Sequence, residues 1–412
     1  MKALMDKRLS GLKKQLCLFK DELEGYEVSF GNISSFAKII SDQMRRLNYD
    51  NVKIDKAGNV VGLIRGYSNK RPIVVISHID HNSFSLDSRI EFKENDAISF
   101  KSGILSSIYS GGLLKSALLP LEGDLYICSV PRLDLCNYGI KYLFDNTLKN
   151  ISKIARVILS EPTGLNINVG HKGRFEYEIV VKGEIGSSIL QDRGVNMLGT
   201  MFPLINELEK VSRDLPHNSL LGNSSLNIKD VGINRVQSGS NCKEFKIIVD
   251  RGFVPEETTS AILKRAKSIA RGVYGSEDGL KISAVATKEK IKSYTGKVFM
   301  AKKEFKPWSI AVDDNFVLKS LNGLKELNPK ATAGYWRKII TDGSYTFADL
   351  GIPTIGFGAG FEDDIKNATV KISEAEILNA VKSTAVIIHR NIGLPSFPLR
   401  CQLTSDNRTQ TL

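Results

Sequence analysis

The sequence predicts an α/β fold: a doubly wound, mostly parallel sheet interrupted by an inserted ferredoxin-like α+β domain. Three observations predict it. The stretch Arg71-Pro-Ile-Val-Val-Ile-Ser-His-Ile-Asp-His81 is an apolar run that ends abruptly in polar residues, as a parallel strand does when helices cover both its faces. Other apolar runs, at 124–130, 156–159 and 354–357, alternate with helical stretches and also stop at polar groups, the pattern of a doubly wound sheet. Between them, residues 173–292 change character, and alternating half-exposed strands follow the order β-α-β-β-α-β of an open-faced sandwich.

Taken in order, Leu4, Leu9, Leu12, Leu16 and Leu23 recur at helical spacing among charges, which predicts a helix from the start to Gly25. A second helix follows from Asn32 to Leu47. Two short strands, 52–54 and 59–64, are joined by Ala57-Gly58, a hairpin turn signal. The principal strand is 73–77. Small residues from Gly103 lead into an apolar helix that reaches Leu119 and contains Gly111-Gly112. The strand 124–130 stops at Pro131, a helix spans 138–146, and the strand 156–159 stops at Ser160-Glu-Pro-Thr163. The inserted unit carries strands at 175–182, 225–231, 244–250 and 281–286 and helices at 195–211 and 257–273. The first unit then resumes with a helix at 315–326, the loop Thr341-Asp-Gly-Ser344, the strand 354–357 and a helix at 373–388. Expected boundaries are 1–172 with 293–393 for the α/β unit and 173–292 for the inserted unit, for which the resemblance described below implies a lid and dimerisation role. Residues 394–412 have no periodicity and are expected to be a disordered tail.

The length, 412 residues, suits two domains, and 42% hydrophobic residues are enough to fill both cores. No apolar run approaches the ~18 residues that span a bilayer, and the charged amphipathic start differs from a signal peptide. A cytoplasmic protein without membrane contact is expected. Cys17, Cys128, Cys136, Cys242 and Cys401 are scattered with no C-x-x-C pair, so neither a disulfide framework nor a thiolate zinc site is indicated. The net charge of +12 raises nucleic acid as a partner. The lysines, however, are dispersed and not interleaved with aromatics, which favours a solvated basic surface.

His78 and Asp80, two residues apart in a strand continuation, point the same way. An imidazole there could bind a cation while the carboxylate orients it or a neighbouring water. The same pair also reads as a plain strand cap.

Three stretches resemble the dinuclear-zinc aminoacylases and carboxypeptidases, the family of acetylornithine deacetylase, succinyl-diaminopimelate desuccinylase and carboxypeptidase G. They are His78-Ile-Asp80, Ser160-Glu-Pro-Thr163 followed by Gly170-His-Lys-Gly-Arg174, and Asp349-Leu-Gly-Ile-Pro-Thr-Ile-Gly-Phe-Gly-Ala-Gly360. Ser293-Tyr-Thr-Gly296 with Pro307-Trp308 is similar to a branch of unassigned hydrolases near selenium-metabolism genes. The resemblance implies amide hydrolysis by a zinc-activated water with a carboxylate as general base. It implies that His78 and Glu161 are metal ligands, that Asp80 orients His78, and that Asp134 is the carboxylate left to act as base. It further implies a cleft loop of Thr341, Gly343 and Ser344, and the lid residues Asn241 and Arg251, as substrate contacts. For Arg251 a strand-end arginine paired to a neighbouring acid is an equal reading, and His171 is expected to cap the lid hinge.

Several family positions carry other residues. Counting back from Gly111-Gly112 puts Ile108 where the family has a bridging aspartate at a helix start. Pro131-Arg-Leu-Asp-Leu-Cys136 stands where a Glu-Glu pair is expected, Lys366 falls at the last histidine, and Ser187 near the lid histidine. The expectation is at most one zinc, or none, and a pseudo-hydrolase that binds a small amino-acid-like or peptide ligand or a partner protein. The alternatives are a remodelled amidohydrolase with one zinc and, least favoured, a basic nucleic-acid-binding protein. A homodimer through the inserted unit is also expected.

Overall fold

The computed structural model describes residues 2–26, 32–79, 98–131, 137–151, 153–184, 197–235, 242–274, 280–362 and 372–393. Two amphipathic helices, α1 (Lys2–Glu24) and α2 (Ile33–Arg46), precede the strands β1 (Asn51–Ile54), β2 (Val60–Ile64) and β3 (Lys70–His78). The helix α3 (Ile98–Ser116), the strand β4 (Gly123–Val130), the short helix α4 (Tyr138–Tyr142) with a π turn over Leu143–Thr147, and β5 (Arg156–Leu159) complete the first half. Next come the short strands β6 (Ile167–Asn168) and β7 (Gly170–His171), then β8 (Gly173–Glu184), α5 (Met197–Ser212), β9 (His217–Asn218), β10 (Gly222–Asn223), β11 (Ser225–Arg235), β12 (Cys242–Phe253), α6 (Thr259–Tyr274) and β13 (Lys281–Ala286). The return passes through β14 (Lys288–Lys292), β15 (Val298–Lys302), β16 (Glu304–Phe305) and β17 (Trp308–Ser309). It ends with α7 (Asn315–Lys325), β18 (Ala333–Gly334), α8 (Gly343–Thr346), β19 (Thr354–Gly356) and α9 (Glu374–Ile392).

The main sheet has the order β1-β2-β4-β3-β5-β19-β6-β18. β3 lies parallel between β4 and β5, and β19 is parallel to β5; antiparallel pairing is confined to β1–β2, β2–β4 and the single contact of β19 with β6. Ile73, Val74, Val75 and Ile76 at its centre have no solvent exposure. Each such side chain contributes roughly 1.5–3 kcal/mol of burial, which fixes β3 as the middle of the sheet. The hairpin between β1 and β2 turns at Gly58, whose φ of +94° is open to glycine and strained for other residues.

The inserted sheet has the order β11-β12-β8-β13, all antiparallel. Its core of Phe175, Tyr177, Phe245, Ile247 and Val249 packs against Leu204 and Leu208 of α5 and Ile262 and Ala266 of α6. The expected 292/293 boundary falls at the turn of the β14–β15 hairpin. That hairpin packs Ile291 on Ala57 and Tyr138 of the main unit, while the following β16 pairs with β8 of the insert. The sequence reading places no strand over 288–309, where charged residues interrupt the apolar pattern. Among the described residues no helix is long and apolar enough to cross a membrane. The expected disordered tail, 394–412, lies outside the described residues.

Candidate functional site

The parallel pairing of β3 with β5 sets Ile76 opposite Leu159. Two residues further on, His78 and Glu161 emerge side by side at the carboxyl ends of adjacent strands, where ligands collect in open α/β sheets. The His78 Nδ1 lies 2.7 Å from Glu161 Oε1, and both side chains are buried. The sequence pair His78 and Glu161 is thus brought together.

On the other edge of the imidazole, Nε2 lies 3.0 Å from Asp342 Oδ2. Asp342 occupies the N-cap position of α8, but its side chain makes no capping bond; it is turned to His78 instead. Sequence reasoning named its neighbours Thr341, Gly343 and Ser344 and passed over Asp342, although it sits inside the same loop. Burial opposes charging the ring, yet the Glu161 and Asp342 carboxylates outweigh it and push the His78 pKa up to about 9. The arrangement is a buried line, carboxylate, imidazolium, carboxylate.

A second histidine sets the loop. Thr341 N–H donates to His171 Nε2 at 2.8 Å, so Nε2 is the acceptor and Nδ1 carries the proton that it donates to the Lys172 carbonyl at 2.7 Å. His171 also meets Thr341 Oγ1 at 3.0 Å. It lies on β7, at the entrance to the inserted unit, so the expected hinge cap also aligns the segment that delivers Asp342. The Ser344 hydroxyl donates to the Lys306 carbonyl, and a Cβ at Gly343 would run into the Trp308 indole. Thr341, Gly343 and Ser344 are all buried, and the polar contacts of Thr341 and Ser344 hold the loop.

Below the site, buried serines link α3 to the strand ends: Ser107 to Ser77, Ser77 to Ser129, and Ser106 to Ser160. α3 begins at Ile98, and Gly111 and Gly112 lie in its C-terminal half against Tyr49 and Leu47. This corrects the register that placed Ile108 at a helix start. Ile108 is a core residue in mid-helix whose carbonyl accepts from Tyr49, and it does not mark the bridging position.

Arg251 is 3% exposed within the inserted unit. Its guanidinium pairs with Glu257 and donates to the carbonyls of Ser225 and Gly252, which is the paired-arginine reading. Asp80, Asp134 and Asn241, together with Ser187 and Lys366, lie outside the described residues.

A zinc ion needs three or four donors around one point. Here Glu161 and Asp342 face opposite edges of one imidazole, so no single position meets all three groups. Among the described residues, no group of three or more histidine, cysteine or acidic side chains is placed to hold a metal. The described donors therefore do not fit a zinc ion.

No protein-family model matches the chain. It is 24% identical over 363 residues to the uncharacterized protein YgeY of Escherichia coli strain K12, covering 84% of this chain and 87% of that one. Among solved structures it is similar to aminopeptidase PepT from Bacillus cereus, with a TM-score of 0.66 at 15% identity, over 92% of this chain and 98% of that one. It is also similar to YxeP of Bacillus subtilis, described as a dinuclear metal binding peptidase from the M20 family, with a TM-score of 0.61 at 14% identity, over 94% and 98% of the two chains. The parallel sheet with its inserted sandwich is thus a known architecture: the chain has the fold of the M20 peptidases.

Proposed function

We propose that this chain is a divergent M20-type protein, related to the zinc aminoacylases, that has given up metal-dependent hydrolysis and binds a small amino-acid-like or peptide ligand or a partner protein. One observation carries the reading: both nitrogens of His78 are engaged by carboxylates from opposite sides. A metal-ligating histidine presents one nitrogen to the ion and donates from the other. In this chain each nitrogen faces a carboxylate of the same chain, Glu161 on one edge and Asp342 on the other.

Elemental analysis of the purified chain, combined with assays on N-acyl amino acids and dipeptides, tests it. The expected result is less than one zinc per chain and no hydrolysis that zinc restores or a chelator removes. Two zinc ions per chain, or chelator-sensitive amidase activity lost in His78→Ala, would overturn it.

The second reading is a remodelled amidohydrolase with a single zinc. What favours it is that His78 and Glu161 stay adjacent and buried at the strand ends, and that the similar YxeP is a dinuclear peptidase. One tightly held zinc with activity that depends on it would select this reading. A homodimer through the inserted unit is proposed from β13, which ends the inserted sheet among the described residues and where Val285 is exposed; sedimentation equilibrium giving a monomer at every concentration would remove it.

A further inference from the structure

A cavity of about 590 Å³ lies between the segment Tyr138–Thr147 and the β14–β15 hairpin, reaching Ser344 at its inner end. Its size suits a small-molecule ligand. Neither the family resemblance nor the site around His78 assigns it a role.

Its charges are unevenly matched. Three carboxylates line it, and each has a partner: Asp145 accepts from the Tyr345 hydroxyl at 2.6 Å, Asp349 pairs with Lys306 at 2.5 Å, and Glu304 accepts from the Thr259 hydroxyl at 2.9 Å. Three lining lysines, Lys141, Lys297 and Lys302, have no carboxylate within ion-pair reach among the described residues. Lys297 is nonetheless positioned, with its ammonium 4.1 Å from the centroid of the Tyr142 ring and 5.2 Å from that of Phe299. Lys141 lies 5.7 Å over the Tyr345 ring.

The walls between these cations are apolar, formed by Phe299, Ala301, the ring of Tyr138 and the exposed Met300. Asn137 is 4% exposed and lines the cavity, and among the described residues its buried Oδ1 has no hydrogen-bond partner; buried groups of this kind ordinarily have one. Its backbone is left-handed, with φ of +51°, and the π turn over Leu143–Thr147 follows closely. Strained residues and π turns concentrate at binding sites.

We propose that this cavity binds a small organic anion, a carboxylate carried on an apolar body, with Lys141 and Lys297 meeting the carboxylate and Phe299 and Met300 covering the body. The assignment is independent of whether the strand-end site hydrolyses anything.

Calorimetric titration of the full chain with 2-naphthoate tests it, with uncharged 2-naphthamide and inorganic phosphate as matched probes. The expected result is saturable naphthoate binding to one site per chain. The amide, the phosphate and the Lys141→Met/Lys297→Met double variant should each bind at least ~10-fold more weakly, a difference of about 1.4 kcal/mol, and the Asp342→Asn variant should bind as the parent does. The double variant should keep the parent's unfolding midpoint, so that lost binding reports on the site. The proposal is overturned if naphthoate shows no saturable binding, if the amide or phosphate binds equally well, or if the double variant binds undiminished. Binding lost in Asp342→Asn instead would place the anion in the strand-end site and overturn it too.

Discussion

The strand-end site and the lysine-lined cavity handle charge in opposite ways. At His78 a buried cation has two carboxylates from the same chain, so the cation is answered inside the protein. In the cavity the acids are already engaged and three exposed lysines face solvent. A buried ion without a partner is costly, whereas an exposed lysine is hydrated at almost no cost. The first arrangement therefore contributes to the fold, and the second leaves its charge available to a ligand.

The sharpest way to break this contrast is Asp342→Ala. It strips one of the two carboxylates from a buried imidazolium that Glu161 still faces and should cost about 1.5–3 kcal/mol, read as a lower midpoint in urea. A loss below about 1 kcal/mol would mean that His78 is not held as a charged group.

The next effect is on pH dependence. The folded pKa of His78, about 9, lies above its ordinary 6.5. Its contribution to stability is then fully present below about 6.5 and is lost as pH rises through about 9. Denaturation across that window should show falling stability in the parent chain and a flatter profile in Asp342→Asn. A parent profile that rises over the same window would refute the charged line.

Gly343→Ala should have a smaller effect. A methyl group there meets the Trp308 indole, and overpacking of this kind costs about 1–3 kcal/mol. Because Gly343 follows Asp342, the variant also asks whether the loop must keep its path for the His78 contact. Calorimetric melting provides the measure, and an unchanged midpoint would show that the loop is free to move. The smallest expected change is in Lys141→Met and Lys297→Met, each within about 0.5 kcal/mol of the parent by the same measurement. A larger loss would make those lysines structural and remove the contrast between the two regions.

Much of the architecture was legible in the sequence because strands such as Ile73–Ile76 are apolar without interruption, and helices such as α9 have clear periodicity and Ser373 as an N-cap. The β14–β15 hairpin was not, because Lys288, Lys290, Lys292 and Lys302 alternate with few apolar residues and its stability comes from packing Ile291 on Tyr138. At the site, His78 was singled out from its place at a strand end and Glu161 through the family resemblance, and the parallel pairing of β3 with β5 sets them side by side. Asp342 was not, because its role depends on a contact 264 positions away in sequence, and an aspartate before Gly-Ser reads locally as a turn or helix cap. The Ile108 register failed for a related reason: a Gly-Gly pair signals close packing wherever it occurs in a helix, at the end as well as the start. Arg251 shows the reverse, since Glu257, six residues on, was close enough for the paired reading to be seen.

The junction between the two units carries a further consequence. Both of the chain's tryptophans sit there: Trp308 pairs across to His171, and Trp336 donates its indole N–H to the Pro162 carbonyl beside Glu161. Their ring centroids are 6.3 Å apart, and both are almost fully buried. The tryptophan emission of this protein, excited where its tyrosines absorb little, is therefore confined to one place. A rearrangement that rotates the inserted unit, or that draws Asp342 away from His78, passes through residues in contact with one indole or the other. Emission maximum and quenching should then follow that motion in real time, without a label.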